Sequence, residues 1–296
     1  MVAGQLFHTG APVILWTDPG GYDAYRTDRR FAPPDKASWE ETQKEHGGPA
    51  TPNRYGHRAA NLSEAQLAIV RDQGWDLAML QQVVDQFVIH YDVAGTSRNC
   101  FRILQDVRGL SVHFMIDIDG TIYQTLDVKE RAWHATTSND RSVGVEIANI
   151  GAYSDREKAP FDRWYEKDAA GHTFIHVPAD GGGVRTPGFI GHPARSEPVR
   201  GEIQGTQLTM YDFTPQQYDS LIKLTATLCT VLPKIRCDYP RDAAGNLLTR
   251  KLPDDELAAY TGVLGHYHLQ ANKVDPGPAM QWDRVIDGAR DLMSKR

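Results

Sequence analysis

Strand-length apolar runs set between stretches of helical periodicity constrain this chain more than any other feature. Gln86–His90, Ser142–Ile147 and Gly262–Gly265 are short, uncharged or nearly so, and bounded by polar or turn-forming residues. Ser111–Ile118, Asp119-Gly120 and Thr121–Leu126 read as a β-hairpin, because Asp-Gly suits a two-residue type I′ turn. Between them, Ser97–Arg108 carries Phe101, Leu104 and Val107 on one helical face. Ser63–Gly74 has a Ser N-cap and a Gly terminator, and Trp75–Asp85 is a second short helix. Thr214–Val231 opens with a Thr cap and Pro at its first position, and Trp282–Met293 is the last helix. Strands and helices mixed in this order predict one α/β domain, a central mixed β-sheet flanked by helices.

Three stretches stand outside that frame. Residues 1–60 are rich in Pro, Gly, Asp and Arg, and Pro19-Gly20, Pro33-Pro34 and Gly47-Gly48 punctuate them as turns. They predict an irregular N-terminal arm wrapped on a catalytic domain spanning 61–296. Residues 155–210 and 238–258 read as loop insertions, the first holding Gly181-Gly182-Gly183 with His172, His176 and His192. The irregular spacing of those histidines favours a solvated loop over a second metal site.

Composition narrows the partners. A net charge of −6 offers no basic footprint for nucleic acid, and no stretch approaches the ~20 apolar residues of a membrane span. No basic n-region followed by an apolar h-region is visible at the start. A periplasmic or extracellular location is the favoured expectation, with a signal already removed; a cytoplasmic one also fits. Cys100, Cys229 and Cys237 make no disulfide framework. Cys229 and Cys237 fit either a bridge in an oxidising compartment or a pair of free thiols. Oligomeric state is open.

The chemistry concentrates where apolar runs end. His90 closes one run and His266 follows another, and both would sit at strand ends entering loops. With Asp275 they make a three-ligand zinc site with a free fourth position, the arrangement a metallohydrolase needs. Lys273 lies two residues before Asp275, so in extended chain the two side chains point the same way. A cation beside a metal ligand suits stabilisation of an anion. Asp92 and His268, each two residues from a favoured ligand, are rivals or else partners that orient an imidazole. His113 is expected to pack with Phe114.

Several segments in order resemble the zinc-dependent N-acetylmuramoyl-L-alanine amidases of the type-2 amidase and peptidoglycan-recognition-protein superfamily. They are Val88-Ile89-His90, Ser111-Val112-His113-Phe114 with Asp117 to Gln124, Arg131-Ala132-Trp133-His134-Ala135, Asn139, Ser142 to Ile147, and Gly265-His266 with Lys273 to Gly277. The likeness covers roughly residues 84–154 and 211–290. It implies Zn²⁺ on His90, His266 and Asp275, Glu146 as general base, and Lys273 beside the developing oxyanion. The implied substrate is peptidoglycan or its muropeptides, cut between N-acetylmuramic acid and L-alanine. His134, Arg131 and Asn139 would line the groove or contact muramyl and peptide groups, with packing or surface roles as the alternatives.

Two positions depart from the pattern. Val112 stands where part of the superfamily carries a catalytic Tyr, which leaves that work to Glu146. Tyr91 stands where relatives specialised for anhydro-muropeptides carry Asn, which places it among the substrate contacts and argues against that specialisation. Two other functions fit the same residues: a non-catalytic muropeptide recognition module, which typically lacks one zinc ligand, and a zinc amidase for a different amide.

Overall fold

The computed structural model describes residues 1–48, 51–59 and 62–295. In chain order its strands are β1 (Val13–Leu15), β2 (Gln86–Tyr91), β3 (Phe114–Ile116), β4 (Ile122–Gln124), β5 (Ser142–Ile147), β6 (Tyr153–Ser154), β7 (Tyr165–Lys167), β8 (Thr173–Ile175), β9 (Val199–Ile203), β10 (Thr206–Met210) and β11 (Gly262–Gly265). The α-helices are α1 (Trp39–His46), α2 (Glu64–Gln73), α3 (Leu77–Val83), α4 (Ser97–Arg102), α5 (Phe161–Trp164), α6 (Pro215–Val231), α7 (Asp254–Ala259) and α8 (Trp282–Ser294).

The main sheet has six strands in the order β1-β4-β3-β5-β2-β11. Only β3 and β4 pair antiparallel within it, so the sheet is mixed, as the sequence predicts. Strand β2 lies between two parallel neighbours, β5 and β11, and all six of its residues are buried. A strand covered on both faces reads as a continuous apolar run, which is why Phe87-Val88-Ile89 shows no alternation.

The pleat still sorts its side chains. Phe87, Ile89 and Tyr91 enter the main core with Leu221, Leu224 and Leu228 of α6 and Val285 and Ile286 of α8. Val88 enters a separate cluster on the opposite face with Leu252, Leu257, Leu264 and Leu269, and His90 continues that face. Strand β5 repeats the division: Val143, Val145 and Ile147 join the main core, leaving Ser142, Gly144 and Glu146 toward His90.

The helical expectations hold at their caps. Ser63 and Thr214 each form a capping box, with Gln66 and Gln217. The helix expected over Ser97–Arg108 differs in kind. Helix α4 ends at Arg102, and Ile103–Arg108 continues as a π-helical turn closed by Gly109 in the left-handed region. Its wider winding buries Gln105 and Asp106 and leaves Val107 half-exposed.

The Asp-Gly hairpin turn is not type I′ either. Gly120 has φ 82°, whereas Asp119 is not among the residues with positive φ. Asp117 accepts from Gly120 N and donates to Thr121 O, both at 2.9 Å, the three-residue loop with a left-handed bulge Gly.

The arm is more ordered than its composition predicts. Its β1 adds a parallel edge strand to β4, and the carboxylate of Asp106 accepts from Arg30 N and Phe31 N at 2.7 and 3.1 Å. The boundary expected between residues 60 and 61 falls outside the described residues. The 155–210 stretch supplies β7 to β10, and so most of a small sheet in the order β6-β10-β9, while β7 pairs with β8. The 238–258 stretch carries most of α7, and its Leu252 and Leu257 pack on Val88 and Leu264. Cys100, Cys229 and Cys237 are free thiols. Among the described residues, no helix is long and apolar enough to cross a membrane.

Candidate metal centre

The parallel pairing of β2 with β11 matches Gly265 to Ile89, so His266, just past the end of β11, stands beside His90, still within β2. The chain after His266 turns back, and Tyr267 N donates to Asp275 O at 3.1 Å, which brings Asp275 to the same point. His90 Nδ1 lies 3.0 Å from His266 Nδ1, and Asp275 Oδ2 lies 2.9 Å from each. All three residues are buried.

This trio is the single group of potential metal ligands found among the described residues. A tetrahedral zinc with bonds of ~2.0–2.2 Å sets its ligand atoms roughly 3.3–3.6 Å apart. The trio stands slightly inside that spacing, so a small outward shift would seat an ion, and two neutral imidazoles with one carboxylate are an ordinary zinc donor set. The residues fit the metal.

Their protonation suits that role. Burial, with His266 nearby, pushes the pKa of His90 down to about 4, keeping the imidazole neutral. Burial alone would raise Asp275, but His266 and His90 outweigh it and hold the carboxyl below its usual range.

The partners of the outer ring nitrogens differ from expectation. His266 Nε2 meets Gln270 Oε1 at 2.6 Å, and His90 Nε2 meets His134 Nδ1 at 3.0 Å. Asp92 and His268 do not orient the ligands. Asp92 Oδ1 accepts from the backbone N of Ala94, Gly95 and Asn149, while His268 Nδ1 accepts from Gly265 N and its Nε2 meets Leu248 O. Gln270 had one signal in the sequence, its place four residues after His266 in a segment too polar for a strand.

Strand β5 supplies the opposite wall. Its register sets Glu146 against His90. Glu146 Oε2 is buried and has no hydrogen-bond partner, and burial, with Asp275 and Asp92 nearby, raises its pKa well above the usual Glu range. Two residues back, a Cβ on Gly144 would meet the His134 ring at 2.5 Å. Two further back, Ser142 Oγ lies 3.2 Å from His134 Nε2. The alternation Ser-x-Gly-x-Glu is therefore a fitted surface: a hydroxyl for His134, room for its ring, and a carboxylate for the centre.

These groups open into a cavity of about 730 Å³. Lys273, half-buried, lines it together with Arg131, Trp133, Asn139 and Gln270. Arg131 lies over the Trp133 ring at 4.2 Å and 3.2 Å from Asp140. Asn139 also has a local task, its Oδ1 accepting from the backbone N of His134 and Ala135 at 3.0 and 2.7 Å. Tyr91 reaches the cavity wall from the core side of β2, where its ring lies close over Gly151 and Gly277.

His113, expected to pack beside Phe114, is engaged in hydrogen bonds: its Nδ1 accepts from Gly144 N at 3.1 Å and its Nε2 meets Glu130 O at 2.9 Å. His172, His176 and His192 are exposed and lie apart from the centre.

The sequence model of the family described as N-acetylmuramoyl-L-alanine amidase matches residues 80–278. The chain belongs to that family. The match includes the ligand trio, Glu146 and Lys273 and leaves the arm outside it. No curated protein sequence matches the chain. Among solved structures this amidase-family chain is similar to a selenomethionine derivative of AmpD, at 17% identity and TM-score 0.37, over 80% of this chain and 90% of that one. It is similar to the endolysin amidase LysCS from Clostridium intestinale, at 15% identity and TM-score 0.35, over 71% and 86%. It is also similar to the amidase AmiD from E. coli, solved with an anhydro-N-acetylmuramic acid peptide, at 19% identity and TM-score 0.36, over 69% and 57%.

Proposed function

We propose that this chain is a zinc-dependent hydrolase of the amide joining N-acetylmuramic acid to L-alanine in peptidoglycan or its muropeptide fragments. Membership of the amidase family supports the bond type. The convergence of His90 Nδ1, His266 Nδ1 and Asp275 Oδ2 to 2.9–3.0 Å beside an unpartnered Glu146 carries the zinc-dependent reading.

Amide hydrolysis needs an activated water, a stabilised oxyanion and a proton for the leaving amine. Zinc, when bound, supplies Lewis-acid chemistry, acidifying water and polarising a carbonyl. Glu146 takes the proton of the attacking water on Oε2 and hands it to the nitrogen of L-alanine as the C–N bond breaks. Lys273 presents its ammonium to the carbonyl oxygen as negative charge develops there. Arg131, Trp133 and the wall of Tyr91 bound the space for the sugar and peptide.

A recognition module of the same fold is expected to lack a ligand. The complete trio with a free carboxylate beside it favours the enzyme. The test is incubation of the zinc-loaded protein with purified muropeptides. New L-alanine amino termini without new reducing sugar ends are the expected products. New reducing ends would indicate a glycosidase and end the amidase reading, and no cleavage would move it to the recognition module.

A further inference from the structure

One buried cation has no part in the reaction described so far. Arg58, on the N-terminal arm, is 0% exposed and makes no ion pair among the described residues. Its guanidinium is spent on backbone. Nε donates to Val128 O at 3.1 Å, and Nη1 donates to Asn139 O at 3.2 Å and to Asp140 O at 3.0 Å. Nη2 lies 3.0 Å from His113 Nε2. Burying a guanidinium without a carboxylate in contact is costly even with Asp140 and Glu130 nearby, so the carbonyls it gathers need a reason to be held.

The reason lies one bond further on. Asn139, whose carbonyl Arg58 holds, uses its own Oδ1 to fix the backbone N of His134 and Ala135. His134 then presents Nδ1 to His90 Nε2 at 3.0 Å and Nε2 to Ser142 Oγ at 3.2 Å. For His90 to offer a bare Nδ1 to a metal, its proton must sit on Nε2, and that N–H needs an acceptor. His134 Nδ1 is that acceptor, and the proton of His134 sits on Nε2, facing the serine hydroxyl. His113 is not part of this tether: its Nδ1 accepts from Gly144 N and its Nε2 proton faces Glu130 O, which leaves Arg58 Nη2 no lone pair there.

We propose that His134 and Arg58 are positioning residues of the metal centre: the arm's guanidinium fixes the 134–140 turn, and His134 Nδ1 fixes the tautomer and angle of His90. The arm, which lies outside the family match, is thereby part of the active-site architecture. This inference rests on the zinc reading of the His90–His266–Asp275 trio.

Paired variants of the full chain test it. His134→Leu removes the acceptor, whereas His134→Asn returns a carbonyl oxygen close to the Nδ1 position. Competition with a chromogenic chelator should show zinc affinity falling about 10–100-fold in His134→Leu, the range for lost outer partners of metal ligands, with much of it restored in His134→Asn. Arg58→Met should move affinity the same way and Arg58→Lys less. If Arg58→Met does not fold, nitrogen NMR of the imidazole rings in zinc-loaded wild type decides the point: His90 and His134 should both carry their proton on Nε2. A His134 ring protonated on Nδ1, wild-type zinc affinity in folded His134→Leu, or no rescue by His134→Asn overturns the proposal. Wild-type protein that binds no zinc would instead remove the metal reading.

Discussion

Glu146 stands directly across the β2–β5 ladder from His90, residue for residue in a parallel pair. Two strands far apart in sequence thus place a carboxylate and a metal-ligand imidazole on one face of the sheet by register alone. A one-residue slip would turn Glu146 into the apolar core among Val145 and Ile147. The base is fixed by the ladder, and no loop has to hold it.

Replacing Glu146 by Gln keeps the shape and removes the proton acceptor. Turnover of muropeptide should fall by roughly 10²–10⁴-fold, the usual contribution of a positioned acid–base group, with zinc stoichiometry unchanged. Metal analysis alongside steady-state rates checks both halves. Loss of zinc in the variant would mean that Glu146 is a ligand.

The same carboxylate sets a pH dependence in metal-free protein. Its folded pKa is raised by burial first, then by Asp275 and Asp92. A carboxyl raised on folding binds its proton more tightly in the native state. Stability from this group is therefore present below the ordinary Glu pKa and is lost as pH rises through the folded value. Glu146→Gln should then gain Tm over wild type, increasingly so as pH climbs above the ordinary Glu range. Thermal scans of the two proteins in chelator across pH 4 to 8, the span where ~4.3 is the reference Glu value, would refute this by showing a constant difference.

Gly144 and Gly56 make a paired test of the fitted β5 surface. A Cβ at Gly144 would meet the His134 ring at 2.5 Å, whereas one at Gly56 meets nothing within 4 Å. Neither glycine has a positive φ, so contact decides the outcome. Gly144→Ala should cost about 1–3 kcal/mol by overpacking and weaken zinc binding through His134. Gly56→Ala should be neutral or gain up to about 1 kcal/mol from a stiffer unfolded chain. Chemical denaturation of both resolves it, and equal effects would show that the close approach to His134 is relaxed in solution.

The parts of this molecule that were legible in its sequence are those written as local signals. Apolar runs ending in His90 and before His266, the Thr214-Pro215 cap and the Asp275 segment all declare themselves within a few residues. What the sequence hid depends on tertiary contact. Val13–Leu15 is a short apolar run that the turn-rich composition of the arm around it masked, and it pairs along the edge of β4. The π-helical turn at Ile103–Arg108 goes with the burial of Asp106 against arm backbone, a contact no local pattern announces. His134 and Gln270 took the outer nitrogens of the ligands, while nearer residues, Asp92 and His268, turned to backbone amides and a carbonyl. Sequence proximity is a poor guide to such partners, because a loop that closes on a strand chooses them by geometry.

Zinc removal should leave the sheet standing. The ligands lie at one face of a core filled by α6 and α8, and none of the core contacts needs the metal. Zinc should still raise Tm, because a ligand that binds only the native state stabilises it by about 2.7 kcal/mol at a hundredfold excess over Kd. Scanning calorimetry with and without chelator, followed by zinc add-back, measures the shift. A Tm indifferent to zinc, at concentrations that support turnover, would mean the trio does not hold the ion.

Lys273 separates catalysis from binding. It lines the cavity two residues from Asp275, is half-buried, and is the residue assigned to the oxyanion. An interaction that strengthens only as charge develops raises kcat and leaves ground-state binding nearly untouched. Lys273→Met keeps the aliphatic stem and deletes the ammonium, so kcat should fall by about 10²–10³-fold, as for loss of one oxyanion donor, with KM little changed and zinc retained. Should KM rise while kcat holds, Lys273 grips a carboxylate of the peptide instead, and the oxyanion would be left to the metal alone.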